Sequence, residues 1–518
     1  MGRYLAKRIL RGLFSVVIVV GVVMILIYSA LDRELIFASD PVYSKQSGNG
    51  REVYKMQQWE KYGYVDYVPF GEYLRKQADL QDYSRLATIG DTPAQDNLET
   101  AQWVRAFTEE YESRNYTVVR LNGQLKGSSA KYKDGGEPRL FAYRDIPVLG
   151  RLVRYFAGIV RIDTVNYVQE DIGQRGLQFT FYDPAYGGEK FSPAILGNGT
   201  QHKYLLYFDS HFPFIHQNFI RLNLGTSYSV STGTEVLETL TAPQGSFEYA
   251  LVTYPSGVTQ RSADDLHTAR YAAGSLETAS VRGYFIDDYT AVQTRKSGLS
   301  KLGYSFTIGL IAVGISYLLA IPAGLSMARK KDRWPDKLGT AYVVFIMAVP
   351  SLAYIFLFKA IGGRLGLPTT FDMEAPTWLM YVLPILSLAL PAAANLMKWL
   401  RRYLVDQMHS DYVKFARAGG LSEEEIFRGH ILKNAAIPIV HGIPGAVLFA
   451  MTGAIITERV YVVPGAGNVL TKAINAYDNG VIVGMVLFYA VLSVSAVILG
   501  DVLIAMADPR ITLTERKG

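Results

Sequence analysis

Cysteine is absent from all 518 residues, which excludes disulfides, thiol catalysis and cysteine metal sites. No G-x-x-x-x-G-K-[ST] stretch occurs, so the chain lacks the P-loop that cradles nucleotide phosphates. H-E-x-x-H is also missing, and the seven histidines fall at no metal-ligand spacing. His211 and His216 read as interfacial or surface residues. The acidic pairs Asp264-Asp265 and Asp287-Asp288 stand among Ser, Thr and Gly, so they read as solvated loop carboxylates rather than a general acid/base pair. Asn198-Gly199-Thr200 fits a glycosylation acceptor, a pattern common by chance. Low-complexity tracts, long same-sign runs and solenoid-period repeats are absent too. Nothing here makes a catalytic constellation or a metal site.

What the chain has is apolar residues gathered in blocks. Hydrophobic residues make up 49% of it and mean hydropathy is +0.12, high for a soluble protein. Six charge-free runs are long enough to cross a bilayer, which takes about 20 helical residues. They occupy 13–31, 302–328, 338–358, 375–397, 434–457 and 479–500. The second and fourth hold Pro322, Pro384 and Pro391, and the fifth holds His441 and Pro444. Prolines are tolerated in spans whose neighbours bury the freed backbone groups, so the helices are expected to pack as a bundle.

Orientation follows from basic residues in short flanking segments. Arg3, Lys7, Arg8 and Arg11 precede the first span with no acid among them. Arg329, Lys330, Lys331, Arg333 and Lys337 separate spans two and three, and seven more basic residues from Lys398 to Lys433 separate spans four and five. The other short loops hold only Lys359 and Arg364, or Arg459 and Lys472. Both termini are therefore expected in the cytoplasm. The first apolar run is too long for a signal-peptide core, and no A-x-A site follows before Asp32 and Arg33.

This topology puts residues 32–300 outside. They carry 28 basic and 32 acidic residues, a net of −4, so the rest of the chain holds +10 of a total of +6. The positive balance reports membrane orientation, not nucleic-acid binding. A segment of this length can build an ordinary core without disulfides. Leu98, Ala101, Val104, Phe107 and Tyr111 recur at helical spacing and predict an amphipathic helix over 97–113. GLQFTFYD (176–183) and FEYALVTY (247–254) read as half-buried strands, and Asn122-Gly123 as a turn. HFPFIHQNFIRLNLGTSY (211–228) places Phe212, Ile215, Phe219 and Leu222 on one helical face. It suits a helix lying at the membrane interface or, equally, a core helix of a mixed α/β domain.

Between spans four and five lies YVKFARAGGLSEEEIFRGHILKNAAIP (412–438). Ala416, Ala418, Gly419 and Gly420 remove side-chain bulk, so another surface can approach the backbone, and the paired glycines break the helix. Ser422 with Glu425 fits a capping box that starts a second helix at Glu423. Acids in its first turn and Lys433 in its last suit the helix dipole. Helix, glycine elbow, helix is the expected shape. It can pass a push from a cytoplasmic partner into the bundle, or merely connect two spans.

The segment DYVKFARAGGLSEEEIFRGHILKNAAIP resembles the EAA-type coupling loop of ABC-importer permeases, in particular the oligopeptide/dipeptide branch. The matching positions are Asp411, Tyr412, Val413, Ala416, Arg417, Ala418, Gly420, Leu421 and Ser422, then Arg428 or Lys433, Asn434, Ala435 and Pro438. TERVYVVPGAGNVL (457–470) resembles the family's E-x-x-F-x-x-P-G-x-G segment, with Tyr461 for the usual Phe. LNLGTSY (222–228) resembles its D-L-G-x-S element, with Asn223 for Asp. LGD (499–501) and ADPR (507–510) resemble its C-terminal end. Lys414-Phe415 depart from the general Glu-Ala, as the oligopeptide branch does. The long external segment, with LIFASDP (35–41) and KYLLYFDSHFPFIHQNF (203–219), is similar to Ami-like oligopeptide permease subunits of Gram-positive bacteria.

The resemblance implies an α-helical membrane protein, a six-span permease bundle with a mixed α/β extracytoplasmic domain inserted between spans one and two. Residues 1–32 would be the N-terminus and first span, and 33–300 the external domain with an interfacial helix near 211–228. Residues 301–507 would be a five-helix core with the coupling loop at 406–433, and 508–518 a cytoplasmic tail. The implied partners are a homologous permease subunit, two cytoplasmic ATPases that bind the ATP and Mg, and a lipid-anchored peptide-binding protein. This chain would be non-catalytic, bind no cofactor and no nucleic acid, sit in membrane lipid, and pass oligopeptides. Ala416, Arg417, Ala418, Gly419, Gly420, Leu421, Ser422 and Glu425 would couple to the ATPases. Asn395, His441 and Glu458 are substrate-path candidates, because polar groups within spans face the bundle interior; a structural interhelical hydrogen bond is the plainer reading of Asn395 and His441. Pro464, Gly465 and Gly467 would shape an external gate turn, although a tight turn alone accounts for Pro464-Gly465. The same fold could serve dipeptides, nickel or another solute, and a membrane sensor or scaffold is a rival of a different class. The absence of native cysteine makes the orientation directly testable. Single cysteines introduced within 412–433 should react with a membrane-impermeant maleimide only after cells are opened; labelling of intact cells would invert the topology.

Overall fold

The computed structural model describes residues 2–38, 40–77, 98–123, 126, 136–169, 172–186, 188–209, 214–229, 233–254, 257–271, 289, 291–373 and 376–507. His211, Phe212, Asp287-Asp288 and the 508–518 tail lie outside the described residues. The chain enters as α1 (Gly2–Ala30), a proline-free helix of 29 residues, about 43 Å long at 1.5 Å per residue.

The inserted domain follows. Its first layer is a three-stranded antiparallel sheet of order β1-β3-β2, built from β1 (Val65–Pro69), β2 (Thr117–Leu121) and β3 (Arg139–Asp145). The expected helix is present as α2 (Leu98–Ser113), with Phe107 and Tyr111 buried beside Phe70 and Leu140. A helix α3 (Val148–Ala157) leads to β4 (Val160–Ile162). A four-stranded meander comes next: β5 (Gly176–Tyr182), β6 (Phe191–Asn198), β7 (Tyr204–Phe208) and β8 (Ile215–Gln217). The strand β9 (Ile220–Leu222) pairs back on β4, and a short α4 (Val236–Thr241) follows. The pairs β10 (Ala250–Thr253) with β11 (Thr259–Ser262) and β12 (Asp264–Arg270) with β13 (Ala291–Thr294) complete the described domain.

Three expectations are corrected here. No helix forms over the described part of 211–228, because Ile215–Gln217 and Ile220–Leu222 are strands joined by a turn in which Gln217 bonds both backbone groups of Ile220. Alternate residues of an extended chain point to opposite sides, so Ile220, Arg221 and Leu222 follow a period of two. The β5 segment is an edge strand whose Leu177, Phe179 and Phe181 are exposed, not half-buried. Asp264 and Asp265 belong to β12 rather than to a solvated loop; Asp264 accepts from Tyr254 Oη at 2.9 Å and Ser262 Oγ at 2.8 Å.

The remaining helices form the bundle. They are α5 (Lys301–Arg329), α6 (Trp334–Ala348), α7 (Ser351–Arg364), α8 (Val382–Met408), α9 (Asp411–Ala418), α10 (Glu423–Ile426), α11 (Leu432–His441), α12 (Ile443–Tyr461), α13 (Ala466–Asn475) and α14 (Asn479–Ala507). Helices α1, α5, α8, α14 and the Glu423–Tyr461 run are long and apolar enough to cross a membrane, and the pair α6–α7 makes a sixth if counted as one span. The expected third span, 338–358, is bent by 108° between α6 and α7. Pro350 is the cause: it has no N–H to continue the helix, and it forces Val349 into extended backbone at φ −89°, ψ 129°. Small residues let the axes approach, as where Ala320 meets Ala393 and Ala394 and where Gly324 faces Leu400.

One seam ties the inserted domain to the bundle. The buried Asp478 carboxylate accepts from Ser227 Oγ at 2.8 Å, Ser229 Oγ at 3.1 Å and the Tyr228 and Ser229 amides. Gly225, at φ +132°, lies so close to Gly480 that a Cβ would meet its carbonyl oxygen at 2.6 Å. Asn223 Oδ1 accepts from the Gly225 amide at 3.0 Å, so the amide side chain supplies the acceptor an Asp would. The L-G-x-S element is therefore a docking loop on the start of α14. At the opposite end of the bundle, Arg8 pairs with Asp501 at 2.8 Å and joins α1 to α14.

Within the domain the buried His267 donates toward Asp183 Oδ2 at 2.7 Å and faces Asp265 at 3.6 Å, stacked on Tyr207. Burial by itself would lower the imidazole, but hydrogen bonds to Asp183 and Asp265 outweigh it and raise His267 from 6.5 to about 9. A raised folded value means the stabilisation is complete below 6.5 and disappears as pH climbs through about 9. The melting temperature of the inserted domain should fall by several degrees across that window, and His267→Asn should start lower and flatten the dependence, as read by scanning calorimetry of the purified protein.

Candidate functional site

The expected elbow is present. α9 ends at Gly419, Gly420 adopts φ +84°, and α10 opens at Glu423 with the Ser422–Glu425 capping box complete. A Cβ at Gly420 would meet nothing within 4 Å, so glycine is needed there for its backbone angle and not for space. Arg417 clasps Glu423 across the turn at 2.6 and 3.0 Å. The inner face of the elbow is packed: Val413, Ile426, Phe427 and Ile431 form one cluster with Ala328 of α5 and Leu400 and Leu404 of α8. Arg329 lies 4.0 Å from the Phe427 ring centre and 3.3 Å from Glu424. A π-helical turn, Phe427–Ile431, then carries the elbow into α11 and the fifth span without a loop. The elbow is thus a rigid extension of that span resting on two others.

The eight expected coupling residues separate into three groups. Ala418, Gly419, Gly420 and Leu421 form the exposed tip. Arg417, Ser422 and Glu425 hold the turn together through the bonds just described. Ala416 turns inward against the packed cluster, so it seats the elbow and is not part of its open surface. Phe415, 76% exposed beside the tip, was passed over as a departure from consensus, although an aromatic among small residues is itself a surface signal.

At the opposite end of the same span Glu458, Gly465 and Gly467 meet in one knot. The Glu458 carboxylate, 1% exposed, accepts from Ser305 Oγ at 2.5 Å and the Gly467 amide at 2.9 Å. Ser305 Oγ accepts in turn from the Ala466 amide at 2.9 Å. An acid thus caps the first turn of α13, where unpaired N–H groups and the helix dipole favour it. A Cβ at Gly465 would overlap the carboxylate, and one at Gly467 would overlap Ile455 and approach the carboxylate to 2.9 Å, so these two glycines are required by space. Val462 caps α12 at φ +58°, a left-handed conformation costing a β-branched residue on the order of 1–3 kcal/mol. Tyr461 Oη donates to the Ile355 carbonyl at 3.2 Å and bonds Ser387 Oγ at 2.9 Å, pinning α7, α8 and α12 together. A Phe could not do that.

Between elbow and knot lies a cavity of about 700 Å³. Helices α5, α7, α8, α11 and α12 wall it, mostly with Ala, Val, Ile, Leu and aromatic side chains. Its polar points are few: Ser316, Ser351, Ser387, Asn395 and Thr457 among them. Asn395 is therefore on the cavity wall. His441 is not; it lies against Gly500, where a Cβ would sit 2.9 Å from its carbonyl and 3.1 Å from its ring. The glycine of L-G-D is the clearance for that contact. Glu458 is spent on the knot and does not line the cavity.

A profile described as binding-protein-dependent transport system inner membrane component matches residues 320–513. The oligopeptide transport system permease protein AmiC of Streptococcus pneumoniae is 36% identical over 527 residues, covering 100% of both chains. The chain belongs to this permease family. The glutathione transport system permease GsiC of Shigella flexneri is 33% identical over 38% of this chain and 63% of its own. A crystal structure of an amino acid ABC transporter aligns at 16% identity with a TM-score of 0.32, over 41% of this chain and 92% of that one. As a family member the chain is a multi-pass permease subunit of an ABC importer, a transport component that works with ATPase and substrate-binding partners.

One feature of this permease had no sequence signal. Arg401 of α8 forks onto Asp336, 3% exposed, with contacts of 2.5 and 2.7 Å, and Asp336 also accepts from the Asp332 amide at 2.9 Å. Arg401 entered the sequence reading only as loop charge and Asp336 not at all, yet they bolt the start of α6 to α8 beside the elbow. For the knot, Gly465→Ala should destabilise the permease far more than Gly420→Ala, which adds roughly 1–2 kcal/mol of backbone strain alone. Thermal melts of the two variants in detergent check that order; equal losses would mean that the knot is loose.

Proposed function

We propose that this permease passes oligopeptides inward through the cavity between elbow and knot. The observation that carries the reading is the end-to-end similarity to an oligopeptide permease, inserted domain included, whereas the glutathione relative matches 38% of the chain. The cavity supports it: peptides vary in side chain and share a backbone, so a path for them is wide with few polar contacts, as around Ser316, Ser387 and Asn395.

In this reading the bundle pairs with a second, homologous permease subunit and two ATPases, and a lipid-anchored peptide-binding protein delivers cargo on the inserted-domain side. Both termini and the elbow face the cytoplasm of a Gram-positive cell. The chain itself is non-catalytic and holds no ATP or Mg. ATPase closure draws on the elbow tip, Ala418 to Leu421 with Phe415, and the packed cluster behind it transmits that motion to α5, α8 and the fifth span. Each nucleotide state must bind one bundle conformation better than the other, since equal affinity shifts nothing. Asn395 is a contact along the path, and the knot at Pro464, Gly465 and Gly467 keeps the far end in shape.

The test is uptake of labelled peptides of graded length by the complex reconstituted in vesicles. Peptides beyond dipeptide length should be taken up in an ATP-dependent manner, and Gly420→Trp should reduce uptake at least about tenfold, the loss of roughly 1.4 kcal/mol or more of coupling, with insertion unchanged. Preference for dipeptides or nickel would reassign the substrate, and normal uptake by the variant would remove the elbow from coupling.

A further inference from the structure

Helix α3 and the β4–β9 ribbon divide apolar from basic residues in the same way. On α3, Leu149, Leu152, Val153 and Phe156 fall at i, i+3, i+4 and i+7, one continuous face. Leu149 is 74% exposed and Val153 60%. Away from that face Arg151 lies over the rings of Tyr28 and Tyr64 at 5.1 and 4.6 Å, and Arg154 pairs with Asp66 at 2.6 Å. In the ribbon Val160 pairs with Leu222 and Ile162 with Ile220, so all four side chains share one side. They are exposed, while Arg161 and Arg221, paired between them, point to the other.

The position of this surface identifies what covers it. The Leu152 side chain comes within 3.2 Å of a Cβ placed on Gly21. Gly21 is nine residues before the end of α1, about 13 Å down the helix from its domain end. At the end of the ribbon next to α3 the Asn223 amide bonds the Ile159 carbonyl at 2.7 Å, and the Leu224 carbonyl presses on Gly484 inside α14. Helix and ribbon therefore pack against two membrane-crossing helices, and beside Gly21 the α1 residues Val22, Ile25 and Leu26 are 50–59% exposed. The apolar face of α3 continues the lipid-facing surface of α1.

We propose that α3 and the β4–β9 ribbon are a monotopic anchor, with Leu149, Val153, Val160 and Ile162 immersed in the acyl chains of the adjoining leaflet and the arginines at headgroup level. Amphipathic elements of this kind bind by buried apolar area plus attraction of basic residues to anionic lipid. The occupant is phospholipid. The anchor holds the inserted domain against the bilayer independently of the Asp478 seam. It also relocates the interfacial element expected near 211–228: the described part of that segment contributes a strand of the ribbon, and the helix comes from 148–157.

The test uses the assembled transporter in vesicles of phosphatidylglycerol and phosphatidylethanolamine, with a nitroxide on V153C, on I162C or on the exposed α2 position E112C; the unmutated complex gives the background. Collision with lipid-soluble oxygen should exceed collision with a water-soluble nickel chelate several-fold at V153C and I162C, with the reverse at E112C. Chelate access at both matching that of E112C would overturn the proposal, because the face would then be open to water. Shielding from both reagents would overturn it equally, because a partner subunit would then cover the face. Two positions on separate elements keep the result readable if one label disturbs folding.

Discussion

Hydrocarbon offers no hydrogen-bond partner, so every break in a spanning helix must return its backbone groups to protein or to a water-accessible cavity. Two interruptions among the described residues of the bundle obey this rule. The bend before Ser351 and the Gly442 junction between α11 and α12 both open onto the central cavity, whose wall includes Ser351, Pro438 and Gly442. Polar side chains deeper in the bundle are closed off among themselves, as in Ser305–Glu458–Gly467 and Ser387–Tyr461–Ile355. The cavity and the rigidity around it come from one constraint: irregular backbone within a span must be buried in protein or line a cavity.

The fifth span connects two otherwise distant devices. Its Glu423 end is the second arm of the elbow, and its Tyr461 end enters the Glu458 knot. Glycine serves these ends for different reasons, a left-handed angle at Gly420 and clearance for a carboxylate at Gly465. No loop separates the elbow from the fifth span. The packed cluster of Val413, Ile426 and Leu404 and the Arg401–Asp336 fork join it to α5, α6 and α8.

The inserted domain is tied to the bundle through short, specific contacts: the Asp478 acceptor, the Gly225–Gly480 approach and the Asn479–Tyr64 bond of 2.8 Å. The first two of these contacts involve the L-G-x-S element, through Ser227 and Gly225. A motif such as L-G-x-S records the shape of a joint, which is why it survives an exchange of Asp for Asn at position 223 that leaves the acceptor in place.

Local chemistry by itself determined the membrane class, the elbow, the capping box and the α2 helix, because apolar run length, glycine pairs and the Ser422–Glu425 spacing act within a few residues of one another; the family was legible only as a resemblance, chiefly of the 411–438 stretch. Only the tertiary structure decided the bend at Pro350, the seat of Ala416, the fork between Asp336 and Arg401, and the removal of His441 and Glu458 from the cavity wall. The 211–228 segment shows why. Its apolar residues fit a helical face and a strand face equally, and pairing with Val160–Ile162, some sixty residues earlier in the chain, settled the matter. Long-range partners carry no local spacing, so burial and pairing could be read only once the chain had folded.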